Sequence, residues 1–94
     1  MVDKEPTTQG NRNIILASQK AGCLLCTSCY DASEVTAYTD EGETALCPVC
    51  GLDGVIGDAE GIEMTEITLV ALNEFFCGGY RWPKGKAYKV IEVD

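Results

Sequence analysis

The sequence predicts a small α+β domain. Three observations predict it: two C-x-x-C pairs at Cys23/Cys26 and Cys47/Cys50, an apolar helical run after Thr65, and a β-branched stretch over residues 87–93. Ninety-four residues make one domain at most. A chain this short buries only about 60% of the surface that its unfolded form exposes, so its apolar core is marginal. Domains of this size often need a staple, whether a disulfide, a metal or a partner. Six cysteines offer one.

Taken in order, residues 1–12 are polar, with Pro6, Gly10 and no apolar period. They predict a flexible N-terminal segment ahead of a single domain over 13–94. Ile14-Ile15-Leu16-Ala17 predicts a strand or an extended segment packed on the core. Asp31-Ala-Ser-Glu34 has the form of a capping box with Asp at the cap, and predicts a short helix over about 32–38. Asp40-Glu-Gly42 predicts a turn toward the second cysteine pair. The run GLDGVIGDAEG, with Gly51, Gly54, Gly57 and Gly61, predicts a tight irregular loop. Thr65 is a good N-cap, Glu66 suits the positive end of a helix dipole, and Gly78-Gly79 supplies a stop. The helix between them carries Ile67, Val70, Ala71, Glu74 and Phe75 on one flank and Leu69, Leu72 and Phe76 on the other. A helix apolar over that much of its girth must be covered. AYKVIEV (87–93) predicts a final strand.

Residues 1–13 contain no charged n-region followed by an apolar h-region, which predicts a cytoplasmic protein in reducing surroundings. No apolar run approaches the ~20 residues of a membrane helix. In a reducing compartment grouped thiols hold metal more often than they pair. Two C-x-x-C steps separated by twenty residues fit one structural zinc ion: each two-residue gap lets both sulfurs of a tight turn face the metal, with backbone amides aimed at the sulfurs. CPVCG is the better-formed turn, since Pro48 fixes one backbone angle and Gly51 permits the left-handed conformation after the second cysteine. Histidine is absent, which excludes mixed Cys-His sites. Iron in a rubredoxin-like site would use the same ligands. CLLCTSC holds two overlapping C-x-x-C steps, so the set Cys26, Cys29, Cys47, Cys50 competes with Cys23, Cys26, Cys47, Cys50. Cys77, at the end of the apolar helix, reads as a small buried hydrophobe.

Net charge is -8, and residues 21–80 hold eleven carboxylates and no Lys or Arg. A tetrathiolate centre adds about two negative charges more. Nucleic-acid binding rests on cations that neutralise phosphates, so the metal module is electrostatically unsuited to it. Arg81, Lys84, Lys86 and Lys89 form a cationic tail. Its sharper reading has Trp82 stacking on a base while the cations meet phosphates; its plainer reading has a solvated edge, with Trp82 packed on the apolar helix.

Four thiolates leave no open coordination position, and without histidine no Ser-His-Asp or Cys-His arrangement can form. The acidic glycine loop (Asp53, Asp58, Glu60, Glu63) lacks EF-hand spacing, and no G-K-S/T follows it to cradle phosphate. An enzyme is not predicted.

The run Cys23-x-x-Cys26-x-x-x-Tyr30, Glu34-Val35-x-x-Tyr38-x-Asp40-x-Gly42-x-Thr44-Ala45-x-Cys47-Pro-x-Cys50-Gly51-x-Asp53-x-Val55-Ile56-Gly57 resembles a family of small bacterial and phage cytoplasmic proteins. Their pattern is C-x-x-C-x-x-x-F, E-I-x-x-W, T-A-x-C-P-x-C-G-x-D-x-V-I and an apolar helix. The likeness covers about 23–76, with Tyr at positions 30 and 38 for the family aromatics and Ala32 where proline is usual. It implies zinc-ribbon or treble-clef-like knuckles and assigns Cys23 and Cys26, not Cys29, as the first pair. It carries no settled activity. The expected function is a non-enzymatic protein-protein module, adaptor or inhibitor, whose acidic face docks on a basic protein surface. A nucleic-acid-associated ribbon working through 80–89 is the alternative, and self-association through the apolar helix a third.

Overall fold

A computed structural model describes residues 6–82. Its elements run α1 (Arg12–Ala17), β1 (Lys20–Cys23), β2 (Cys29–Asp31), a 3-10 turn (Ala32–Glu34), β3 (Tyr38–Thr39), β4 (Thr44–Ala45), β5 (Val55–Gly57), a second 3-10 turn (Asp58–Glu60) and α2 (Glu66–Phe76). The strand expected over 87–93 lies outside the described residues. The architecture is α+β with short antiparallel strands, as expected.

The middle layer is a three-stranded sheet in the order β2-β1-β5. β1 pairs antiparallel with β2 (Ala21 opposite Tyr30) and with β5 (Cys23 opposite Val55). Side chains alternate across a strand, so β1 and β5 serve both faces. Ala21, Cys23 and Val55 join a cluster with Ile15, Tyr30, Ala45 and the remaining buried cysteines. Ile56 joins Leu24, Leu69 and Leu72 in a second cluster beneath α2. Gly22 lies between these layers: a Cβ there would sit 2.7 Å from Leu69 Cδ1 and 2.9 Å from Met64 Sδ. A side chain at position 22 would therefore have to displace the ends of Leu69 and Met64, on which the close seat of α2 depends. β3 and β4 form a separate hairpin (Thr39 opposite Thr44) closed over residues 40–43, the turn expected at Asp40-Glu-Gly42.

α2 follows its expected limits. The Thr65 hydroxyl accepts the Thr68 amide, and Gly78 and Gly79 take φ of 64° and 86° after it. Leu69 and Leu72 face the sheet, whereas Ile67 and Phe75 are exposed. Asn73, also on the inner face, is fully buried; its side-chain amide donates to the Leu24 and Tyr80 carbonyls at 2.7 Å each.

Several expectations are corrected. Ile14–Ala17 belongs to helix α1, not a strand; a four-residue apolar run carries no period that separates the two. Ahead of it, the loose lead-in does not extend through residues 6–12. Pro6 is buried, Thr7 donates its amide to Glu60, and Gly10 donates to the Thr44 hydroxyl. Asn11 is fully buried, donating to the Val55 carbonyl at 2.7 Å and accepting the Ala45 amide at 3.1 Å. The helix expected over 32–38 shrinks to one 3-10 turn without a side-chain cap, because Asp31 pairs with Lys20 instead. The glycine-rich loop contains β5, since its backbone finds β1 as partner. Trp82 packs on the cysteine-side cluster instead of α2, and its amide donates to the Leu25 carbonyl at 2.8 Å.

Candidate metal centre

Each cysteine pair sits in the same local fold. In the first, the Thr27 amide donates to the Cys23 carbonyl and the Cys23 amide to the Ser28 carbonyl. In the second, the Gly51 amide donates to the Cys47 carbonyl and the Cys47 amide to the Leu52 carbonyl. The two turns are thus equivalent residue by residue, offset by twenty-four positions. Both require left-handed backbone after the second cysteine: Gly51 takes φ of 83° and Thr27 φ of 58°. Threonine is β-branched and rarely adopts that conformation, which is why the sequence marks only the second turn clearly. Its hydroxyl donates to the Cys26 carbonyl at 2.6 Å, a local bond within the turn.

The sheet brings the two turns together. β1 ends on Cys23, β5 pairs beside it, and the Leu24 amide donates to the Gly54 carbonyl. The Sγ atoms of Cys23, Cys26, Cys47 and Cys50 all lie within 4.8 Å of one another, and each of the four residues is 3% exposed or less. Cys23 and Cys50 Sγ are 3.7 Å apart, as are Cys26 and Cys47 Sγ. A disulfide would need about 2.05 Å. Four sulfurs around a tetrahedral ion at about 2.3 Å stand about 3.8 Å apart along each edge. The cluster has the dimensions of a metal site. Cys29 is exposed on β2 opposite Gly22 and lies outside the cluster, and Cys77, the C-cap of α2, is half-buried against the second cluster.

Donors converge on the sulfurs. The Leu25 amide reaches Cys23 Sγ at 3.3 Å; the Val49 and Cys50 amides reach Cys47 Sγ at 3.3 and 3.4 Å. The buried Tyr30 hydroxyl donates to Cys47 Sγ at 3.2 Å. Hydrogen bonds from Cys23 and Cys26 outweigh burial and hold the Cys47 thiol far below its usual range. The Cys23 thiol, bonded to Cys26 and Cys47 and buried, is pushed far up, and burial pushes Cys50 up to about 12.

The acidic groups divide by role. Asp58 accepts the Gln19 and Lys20 amides at 3.0 and 3.2 Å and so anchors the start of β1. Asp40 accepts the Thr44 hydroxyl at 2.8 Å. Arg81 pairs with Glu74 at 3.3 Å; Lys84, Lys86 and Lys89 lie outside the described residues. Among the described residues, no other group of Cys, Asp or Glu is gathered in such an arrangement. No described helix is long and apolar enough to cross a membrane. Comparison with family models, curated proteins and solved structures finds no match.

Proposed function

We propose that this chain is a non-enzymatic protein-interaction module, stabilised by one structural zinc ion on Cys23, Cys26, Cys47 and Cys50, and that its acidic surface docks on a basic protein surface. The carrying observation is the buried sulfur tetrad with its 3.7 Å edges. Zinc suits the donor set: with a filled d shell it accepts the tetrahedron that four thiolates impose and has no redox chemistry, and the site is shut away from solvent. Four protein ligands close the coordination sphere, which supports a structural ion over a catalytic one. The paired turns support knuckles of the zinc-ribbon or treble-clef kind, in line with the motif likeness to small bacterial and phage cytoplasmic proteins.

The interaction half rests on charge. Eleven carboxylates and no cation lie between residues 21 and 80, and the flanking Lys20 and Arg81 are tied to Asp31 and Glu74. A one-sided surface speeds encounter with an opposite one and rejects wrong partners. The nucleic-acid reading is weakened by the same ion pair at Arg81 and by the half-burial of Trp82.

Purified protein is expected to carry one zinc per chain; elemental analysis finding none, or two, sinks the metal half. The exposed triple change Glu41→Lys, Glu43→Lys, Asp53→Lys should leave zinc content and melting unchanged. It should slow association with the partner recovered by pull-down at low salt, with the difference closing as salt screens it. An unchanged rate rejects the acidic face, and salt-sensitive retention of labelled DNA by the native chain would favour the nucleic-acid reading. Asp40 is left untouched because it holds the buried Thr44 hydroxyl.

A further inference from the structure

A tetrathiolate centre concentrates about two excess negative charges in a buried site. In most of the surrounding chain no cation is available to answer them, since residues 21–80 contain neither Lys nor Arg. Among the described residues, the donors that reach the sulfurs are neutral. Three of those donors are amides within a knuckle, and each serves a sulfur of its own turn. The fourth differs in kind. Tyr30 stands on β2, opposite Ala21 in the hairpin of the first knuckle, yet its hydroxyl donates to Cys47 Sγ in the second, at 3.2 Å. Its side chain lies in the cysteine-side core at 7% exposure, so water does not compete for the bond. Cys47 Sγ thereby receives donors from both halves of the site.

On the reading of the cluster as a metal centre, we propose that Tyr30 is its positioning residue: the hydroxyl fixes Cys47 Sγ across the gap between the knuckles, withdraws charge from that thiolate, and sets how tightly the ion is held. A hydrogen bond to a charged sulfur is strong because the acceptor is ionised, and in a dry site it loses nothing to solvent. Groups in this outer position commonly change metal affinity by about 10- to 100-fold when removed. The bond also explains why an aromatic with a hydroxyl can serve at position 30: phenylalanine would fill the same space and leave Cys47 with its two knuckle amides alone.

The test uses the full chain with cobalt(II) as a spectroscopic ion and zinc in competition with a chromophoric chelator. Native protein should give the spectrum of a tetrahedral tetrathiolate. Tyr30→Phe should keep one ion per chain and the tetrahedral d–d bands, move the sulfur-to-cobalt charge-transfer band to lower energy, and weaken zinc by about 10-fold. Tyr38→Phe, in the same core without a sulfur contact, should change neither reading. Replacing the tyrosines by fluorotyrosine strengthens the hydroxyl as a donor and should move the band the other way, which tests the bond even if Tyr30→Phe does not fold. A charge-transfer band unmoved by either change overturns the role of Tyr30 while leaving the metal site standing. Native protein that takes up no cobalt overturns the metal reading itself, a result separate from the first.

Discussion

Two cysteines six positions apart have opposite surroundings. Cys23 is fully buried against Cys50, whereas Cys29 is exposed on the neighbouring strand. Cys23→Ser should abolish stoichiometric metal binding, and Cys29→Ser should leave it nearly intact, as read by metal analysis of the purified variants. A reversal of these outcomes would assign the overlapping pair Cys26/Cys29 to the first knuckle. Asn11 offers a second test at this scale. Its fully buried side chain bridges β4 and β5, accepting from Ala45 and donating to Val55 and Thr7. Asn11→Ala leaves a buried amide and carbonyl unsatisfied, each worth about 1–3 kcal/mol, so chemical denaturation should show a loss of about 2–6 kcal/mol. A loss under 1 kcal/mol would mean that water replaces the clamp. Nothing in the local sequence announces this residue, because both of its strand partners are distant along the chain.

The contact between α2 and the sheet is where sequence periodicity and tertiary packing meet. The helix is legible in the sequence because its cap, apolar content and glycine stop are all local. Its orientation is not: the two apolar flanks looked comparable, yet Leu69 and Leu72 are buried while Ile67 and Phe75 are exposed. Gly22 and the Asn73 bridge to Leu24 select the inner face. Gly22→Ala must push Leu69 and Met64 aside and approach the Ser28 carbonyl, and overpacking of this kind costs about 1–3 kcal/mol. Thr65→Ala removes only the cap and should cost about 1 kcal/mol. Urea melts should rank the two in that order at unchanged metal content; equal small losses would show that α2 can lift from the sheet without strain.

For the molecule as a whole, the cysteine cluster is where two halves meet that otherwise share a three-stranded sheet and a thin core. Metal binding to such modules supplies apparent free energies of about 10 kcal/mol or more, comparable to the entire stability of a small domain. Strong chelation at neutral pH should therefore abolish most of the cooperative unfolding transition in near-UV circular dichroism. Retention of a full transition would make the ion an accessory. The pH dependence has a definite sign. An ordinary cysteine thiol titrates at about 8.5, so the ligand sulfurs largely hold protons at neutral pH before metal binds. Metal must expel them, hence zinc affinity should fall as pH is lowered from 8 to 6, with proton release on binding measurable by calorimetry in two buffers. Affinity independent of pH over that range would contradict thiolate ligation.

Features that depend on neighbours in the chain are legible in residue order: the second knuckle through Pro48 and Gly51, the cap and stop of α2, and the turn at Asp40-Glu-Gly42. The sequence also carries the charge imbalance, which is a matter of composition. The first knuckle was half legible, because Thr27 takes by force of its surroundings the left-handed backbone that Gly51 takes freely. The remaining features arise from long-range contacts. The glycine-rich run around Val55 became a strand only because β1 offers it an unpaired edge, and Ile14–Ala17 became a helix on a segment anchored by buried Asn11. Asp58 became a backbone anchor, and Tyr30 a donor to a sulfur seventeen residues away. Each of these depends on partners that only the folded chain brings near, and a hydrogen bond or a close contact leaves no periodic trace in the order of residues.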